Sequence, residues 1–205
     1  MIDHLVYAAP DLEAACADLE GRLGVRPSPG GKHTGRGTHN ALMDLGGGTY
    51  LEVIAPDPDQ PPPHRPRPFG IDTLALARLV TWAAKAPDID ERVSRAKAAG
   101  YEAGTVQAMS RARPDGVNLA WKLTLRDEPA GDGLVPFLID WADTAHPSAT
   151  AAKGCRLVTF RAEHPRPDSV TSLLAALGER LEVREGPHPR LIAEIVAPRG
   201  RVELT

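Results

Sequence analysis

The 205-residue sequence has few cysteines, little net charge and no long apolar stretch. Its two cysteines, Cys16 and Cys155, lie in unrelated contexts, which is typical of a protein from a reducing compartment. Cys155 has no evident His–Asp partners, so nucleophilic catalysis by cysteine is not expected. The 24 Lys and Arg residues against 27 Asp and Glu residues give a formal charge of −3. This balance gives no electrostatic reason to expect nucleic acid or an anionic membrane as a partner.

The apolar runs are about as long as strands, and none approaches the roughly 20 residues that a membrane-spanning helix needs. Residues 1–4 show neither the basic nor the apolar region of an export signal. We therefore expect a cytoplasmic protein with no membrane partner.

One supersecondary pattern occurs three times along the chain. A short apolar run leads through Pro-Asp into an amphipathic stretch that is closed by glycine. The Pro-Asp pairs and closing glycines are, in order, Pro10-Asp11 and Gly24, Pro87-Asp88 and Gly100, and Pro167-Asp168 and Gly178. Each copy predicts a strand followed by a helix with an Asp N-cap and a Gly C-cap.

The repeat divides the chain into units of strand, helix and further strands. These are a first unit at 1–57, a Pro-rich linker at 58–76, a second unit at 77–147 and a shorter third βαβ-type unit at 155–205. In the first unit, strands 40–45 and 49–54 are close enough along the chain to predict a hairpin. Proline at the density seen around residues 56–68 predicts an extended linker or surface arm without helix or ladder.

Two polar residues interrupt otherwise apolar strands. Alternation along the first strand places His4 with Ile2 and Val6 on one face and Asp3 on the other. Glu52 lies on the strand that follows the glycine hairpin. A buried carboxylate is costly unless it is paired or bound to a metal, and a His nitrogen with a Glu oxygen suits Zn, Mn, Fe or Ni. The alternative is a His–Glu pair that satisfies only itself.

Eight short segments carry a recognisable pattern. They are residues 2–7 (IDHLVY), 30–33 (GGKH), 37–42 (GTHNAL), 50–54 (YLEVI), 115–116 (DG), 119–121 (LAW), 136–141 (PFLIDW) and 146–147 (HP). Together they resemble the glyoxalase-like domain family of the vicinal oxygen chelate (glyoxalase/bleomycin resistance/dioxygenase) superfamily. The resemblance implies an α+β fold in which repeated βαβββ modules form a curved-sheet cup, often around a divalent metal. It also implies a homodimer.

The resemblance implies metal ligands at His4 on the first strand and Glu52 on the last strand of the first module. In the second module Asp140 is available as a ligand, but Thr81, a poor ligand, occupies the position that aligns with His4. The implied function is metal-assisted isomerase, lyase or dioxygenase chemistry on a substrate with vicinal oxygens, in which Glu52 or His33 moves a proton. A metal-free cup that sequesters a small molecule is the alternative.

Other positions leave two interpretations each. The glycine-rich segment at 29–38 is either a loose rim or a lip that presents His33, Thr38 and Asn40 to a ligand. The aromatic residues of the strands form either a ligand-binding lining or ordinary core; they are Tyr50, Trp121, Phe137 and Trp141. Arg111 and Arg113 either bind a carboxylate or lie at a solvated hairpin end, and His146 is expected to form a structural turn.

Overall fold

The computed structural model describes residues 1–112, 116–126 and 128–205. Arg113, and Asp115 of the 115–116 segment, lie outside the described residues. The first module comprises β1 (Ile2–Ala8), α1 (Leu12–Leu23), β2 (Ser28–His33), β3 (Thr38–Asp44) and β4 (Tyr50–Pro56). The second comprises β5 (Arg78–Lys85), α2 (Ile89–Ala98), β6 (Thr105–Ala112), β7 (Asn118–Leu125) and β8 (Phe137–Asp140).

The two modules build one strongly curled eight-stranded sheet in the order β2-β3-β4-β1-β5-β8-β7-β6. In each module the first strand lies parallel to the last, β1 beside β4 and β5 beside β8. The two first strands pair antiparallel at the centre and join the modules. The predicted α+β class and curved sheet are confirmed, and the concave face forms a cup.

The C-terminal unit has a different topology from the other two. It comprises β9 (Arg156–His164), α3 (Pro167–Leu177), β10 (Glu182–Glu185), β11 (Arg190–Ala197) and β12 (Gly200–Leu204). Its sheet runs β10-β9-β11-β12, so the first strand lies between the second and third instead of beside the last. The linear order of elements repeats three times, but the strand pairing repeats only twice.

The C-terminal sheet packs on the face of the large sheet that is opposite the cup. Trp82 of β5 is 1% exposed, contacts Phe160 edge to face at 5.7 Å between ring centroids, and donates from Nε1 to the Leu134 carbonyl at 2.8 Å. One apolar core joins β1, α1, α3 and β11. The face of the large sheet opposite the cup is therefore covered by a packed apolar layer. No helix in the described ranges is long and apolar enough to span a membrane.

The predicted helix caps are only partly confirmed. Asp11 accepts a hydrogen bond from the Ala14 amide at 2.7 Å, and Gly24 ends α1 with φ +79°, as predicted. Asp88 makes no side-chain cap bond and instead pairs with Arg95 at 2.6 Å. The third helix begins at Pro167, so Asp168 lies within its first turn, where a carboxylate still interacts favourably with the helix dipole.

The glycine-rich segment is more regular than the sequence indicates. Residues 28–33 form β2, which pairs antiparallel with β3 through a register shift between Pro29 and Gly31. A Cβ on Gly30 would lie 2.2 Å from Oδ1 of Asn40 and 2.9 Å from a guanidinium nitrogen of Arg111. Glycine at position 30 thus allows both side chains to approach the backbone of an edge strand.

The Pro-rich arm lies along the first module. Residues 57–67 contain neither helix nor strand, and a 3₁₀ segment follows at Pro68–Thr73. Gln60 donates to the Thr38 carbonyl at 3.2 Å, and Nε of Arg67 donates to the Gly37 carbonyl at 2.7 Å. The arm is therefore held against the start of β3.

Both thiols are expected to react slowly in the folded protein. Cys16 and Cys155 are buried, and burial raises the pKa of each to about 11. Since the thiolate is the reactive form, labelling by a disulfide reagent at pH 8 should become fast only in denaturant. Stopped-flow absorbance with and without urea measures this. Rapid labelling of either thiol in native protein would contradict the burial.

Candidate functional site

The floor of the cup holds the predicted His–Glu pair. His4 and Glu52 lie on the adjacent parallel strands β1 and β4, where Val6 is opposite Glu52 and His4 is opposite Tyr50. Two-residue alternation turns both side chains to the concave face. Nε2 of His4 lies 3.6 Å from Oε2 of Glu52, and both residues are buried. They line a cavity of about 90 Å³.

Asp3 reaches the same site, although alternation predicts that it points to the opposite face. The register between β1 and β5 shifts between Ile2 and His4, so Asp3 is the extra residue of a β-bulge. Bulges of this kind redirect side chains beside functional sites. Nδ1 of His4 donates to Oδ1 of Asp3 at 2.7 Å, and Asp3 is fully buried.

Asp3 is held ionised by three donors. His146 Nε2 lies 3.0 Å from its Oδ2, and Trp141 Nε1 donates to its Oδ1 at 3.2 Å. Burial by itself raises the pKa of Asp3, but the hydrogen bonds from His146 and His4 outweigh it and hold the pKa well below its usual range. An ionised carboxylate only accepts hydrogen bonds, so Nδ1 of His4 is the donor to Asp3, and Nε2 is the ring nitrogen that faces Glu52.

His146 also has a role at this site that the sequence does not show. It opens the 3₁₀ turn Pro147–Ala149 and accepts from the Ser148 amide, as a structural turn residue does. The same bond occupies Nδ1, which leaves Nε2–H to donate to Asp3. Because Asp3 and His146 are 143 positions apart, the contact arises only when β8 lies beside β5.

The carboxylate of Glu52 is positioned by residues of β2 and β3. Asn40 donates from Nδ2 to Oε1 of Glu52 at 2.5 Å, and Nε2 of His33 lies 3.8 Å from the same oxygen. His33 Nδ1 is 3.0 Å from Oγ1 of Thr38. Burial lowers the pKa of His33, so its ring is neutral at physiological pH. The structure thus brings His33, Thr38 and Asn40 together around Glu52.

Arg111 lies in the cavity wall and not at a solvated hairpin end. It is 4% exposed, and its Nη1 donates to Oδ1 of Asn40 at 3.3 Å. Arg36 lines the same cavity and donates to Gln107 at 3.1 Å. The sequence leaves the role of Arg111 open because β6 and β2 lie at opposite ends of the strand order and meet only when the sheet curls.

Aromatic rings enclose the imidazole of His4. The Tyr50 ring stacks on it with centroids 4.6 Å apart, and the Phe137 ring meets it edge-on at 5.5 Å. Trp121 and Trp141 pack against each other at 5.1 Å and line the same cavity. Burial raises the pKa of Tyr50 well above its usual value, so the phenol stays protonated. The four predicted aromatic residues all line the cup.

Phe69 adds a further ring that the sequence does not indicate. It comes from the Pro-rich arm, stacks on Phe137 at 6.0 Å and lines the cavity. Its φ of +63° is in the left-handed region, which a residue with a bulky side chain rarely adopts. Backbone strain of this kind persists where surrounding contacts impose it, and it is concentrated at binding sites.

Asp140 does not reach the cup. Its neighbours Ile139 and Trp141 line the cavity, whereas Oδ1 of Asp140 accepts from the Ala142 amide at 2.8 Å. Among the described residues, no group of three or more His, Cys, Asp or Glu side chains is arranged to hold a metal ion. His4 and Glu52 fit two ligand positions of a metal site. The hydrogen bond from Nδ1 of His4 to Asp3 leaves Nε2 facing Glu52, and carboxylates that accept from the other ring nitrogen orient metal-binding histidines in the same way.

A family model described as a glyoxalase-like domain matches residues 2–178, so the chain belongs to that family. The resemblance found in the sequence is confirmed. No curated protein matches the sequence. A hypothetical protein from Staphylococcus aureus superposes on this chain with a TM-score of 0.65 at 14% sequence identity. The alignment covers 98% of this chain and 83% of the Staphylococcus aureus chain.

Methylmalonyl-CoA epimerase structures align less closely. The enzyme from Mycobacterium tuberculosis has a TM-score of 0.45 at 18% sequence identity. That alignment covers 69% of this chain and 87% of the Mycobacterium tuberculosis chain. A variant of the enzyme from Streptomyces coelicolor was solved in complex with 2-nitronate-propionyl-CoA. It has a TM-score of 0.46 at 16% sequence identity, and the alignment covers 72% of this chain and 98% of the Streptomyces coelicolor chain.

Proposed function

We propose that this chain is a small-molecule enzyme that moves a proton in a substrate with vicinal oxygens, in a reaction of isomerase, lyase or dioxygenase type. The observation that supports this most is the buried Glu52 carboxylate, 3.6 Å from Nε2 of His4 in a cavity lined by aromatic rings. A carboxylate in such surroundings is costly to the fold, and catalytic bases are found in surroundings of this kind.

In this proposal Glu52 is the general base. Asn40 holds Oε1 through its amide, while Oε2 faces His4. Neutral His33, beside the same carboxylate, is the second group able to accept or return a proton. The guanidinium groups of Arg36 and Arg111 would stabilise negative charge that develops on the substrate oxygens.

A divalent ion such as Zn, Mn, Fe or Ni would be held by His4 and Glu52, with water or substrate oxygens completing the shell. When bound, the ion would supply Lewis-acid stabilisation of an oxyanion.

The expected homodimer and the cytoplasmic location stay predictions.

Proton exchange in D₂O tests the proposal. Protein purified without a metal-affinity tag is incubated with pyruvate, 2-oxobutanoate or hydroxyacetone, and ¹H NMR follows the loss of the protons next to the carbonyl group. We expect accelerated exchange for at least one compound. Inhibition by a chelator and recovery with one added metal would support the ion, whereas no exchange and no saturable binding with any compound would contradict the proposal.

A metal-free binding protein is the second candidate, and the aromatic lining favours it. The Phe69–Phe137 and Trp121–Trp141 pairs offer flat apolar surfaces to a planar ligand. Saturable quenching of tryptophan fluorescence without exchange, unchanged by a chelator, would support this function over the enzyme.

A further inference from the structure

A second, larger cavity lies beside the cup, and the function proposed above does not use it. Its volume is about 250 Å³, against about 90 Å³ for the cup. Since an apolar cavity of about 150 Å³ accommodates benzene with its six heavy atoms, the second cavity has room for a chain of about six to eight heavy atoms and the cup for about three. Neither cavity alone reaches the range of about 300–1,000 Å³ that is typical of small-molecule sites, whereas the two together reach its lower end.

The two cavities adjoin each other at a single shared side chain. Arg111 lines both of them. His146, on the wall of the second cavity, contacts the rings of Tyr50 and Trp141 at 5.5 and 5.9 Å, and both of those rings line the cup. Gly30 contributes only backbone here, since a side chain would displace Asn40.

The second cavity is chemically unlike the cup. Its two ionisable side chains among the described residues, Arg111 and His146, contact residues that line the cup. The rest of its lining is neutral and largely apolar, including Pro29, Leu42, Leu119, Ala149 and Ala151. The lining residues that the structure describes include no carboxylate. Such a cavity suits a neutral hydrocarbon chain and not a second charged group.

We propose that the second cavity is a subsite for the tail of the substrate, and that the tail is a neutral, largely aliphatic chain of about six to eight heavy atoms. The oxygen-bearing head enters the cup, and Arg111 lies where head and tail join. The inference rests on the proposed function, because the head is the part that the cup would transform.

Three probes separate head from tail in isothermal titration calorimetry: pyruvate as head only, hexanamide as tail only, and 2-oxooctanoate as both. Each buried methylene contributes about 0.8 kcal/mol, so 2-oxooctanoate should bind at least 30-fold more tightly than pyruvate. Ala149 is exposed at the mouth of the second cavity. Ala149→Phe should weaken the binding of 2-oxooctanoate and of hexanamide at least tenfold and change the affinity for pyruvate less than twofold. The control Ala98→Phe, exposed at the end of α2, should alter none of them.

The outcomes distinguish this subsite from the proposed function. The binding of hexanamide does not require the cup. The proposed subsite would be overturned if hexanamide failed to bind, or if it bound equally well to the wild type and to Ala149→Phe. Binding of 2-oxooctanoate no tighter than that of pyruvate would overturn it as well. Tail-dependent binding without proton exchange would keep the subsite and reject the enzyme.

Discussion

Glu52→Gln is expected to reduce the rate of proton exchange by about 10²- to 10⁴-fold, the range typical of a lost general base. The amide keeps the shape of the side chain and can still present an oxygen to Asn40, which donates to Oε1 in the wild type at 2.5 Å. It loses the charge and the basicity. Exchange rates by ¹H NMR at saturating substrate measure the effect, and circular dichroism verifies that the variant is folded.

The matched control for this change is Glu182→Gln. Glu182 is exposed on β10 and pairs with Arg184 at 2.7 Å, far from the cup. Its exchange rate should equal that of the wild type. A Glu52→Gln rate within twofold of the wild type would reject Glu52 as the base and leave His33 as the remaining candidate.

Asp3→Ala is expected to lower the free energy of unfolding by about 3 kcal/mol or more, because each buried donor left without an acceptor costs about 1–3 kcal/mol. The change leaves the ring nitrogens of His4, His146 and Trp141 without their acceptor. Urea denaturation at pH 7 measures the loss. The exposed i,i+4 pair of Asp18 with Arg22 offers the control, since Asp18→Ala should cost about 0.5 kcal/mol or less.

The contribution of Asp3 to the free energy of unfolding should also depend on pH, in a direction that the pKa of Asp3 defines. The folded protein holds the pKa of Asp3 below the unfolded value of about 3.9. Ionised Asp3 therefore stabilises the fold fully above pH 4, and the stabilisation is lost as the pH falls further. The difference in unfolding free energy between wild type and Asp3→Asn should narrow below pH 4. A difference that stays constant from pH 7 to pH 3 would contradict this assignment.

Local signals in the sequence were sufficient for several elements. The Asp11 cap, the Gly24 stop and the hairpin of β3 and β4 depend on residues close together along the chain. Those are features for which short-range physics decides the outcome. The pairing of His4 with Glu52, in contrast, is implied by the family resemblance, because alternation orders the side chains of one strand and does not show which strands become neighbours.

The remaining features depend on contacts between distant segments. Alternation predicts the wrong face for Asp3 because a single extra residue in β1 reverses the alternation, and nothing in the sequence marks the bulge. Arg111 is buried only because the sheet curls until β6 meets β2. The third unit repeats the element order but not the pairing, since helix caps and apolar runs do not specify which strands become neighbours.

The two modules share a topology but contribute different chemistry to the cup. His4, His33, Asn40 and Glu52 all come from the first module, whereas β7 and β8 contribute mostly rings and aliphatic groups. A substrate seated between them would meet the base from one side only. If Glu52 acts as proposed, a prochiral carbon would therefore lose and regain its proton on a single face. The handedness of the product would then be fixed because only one of the two similar modules supplies the groups that move the proton.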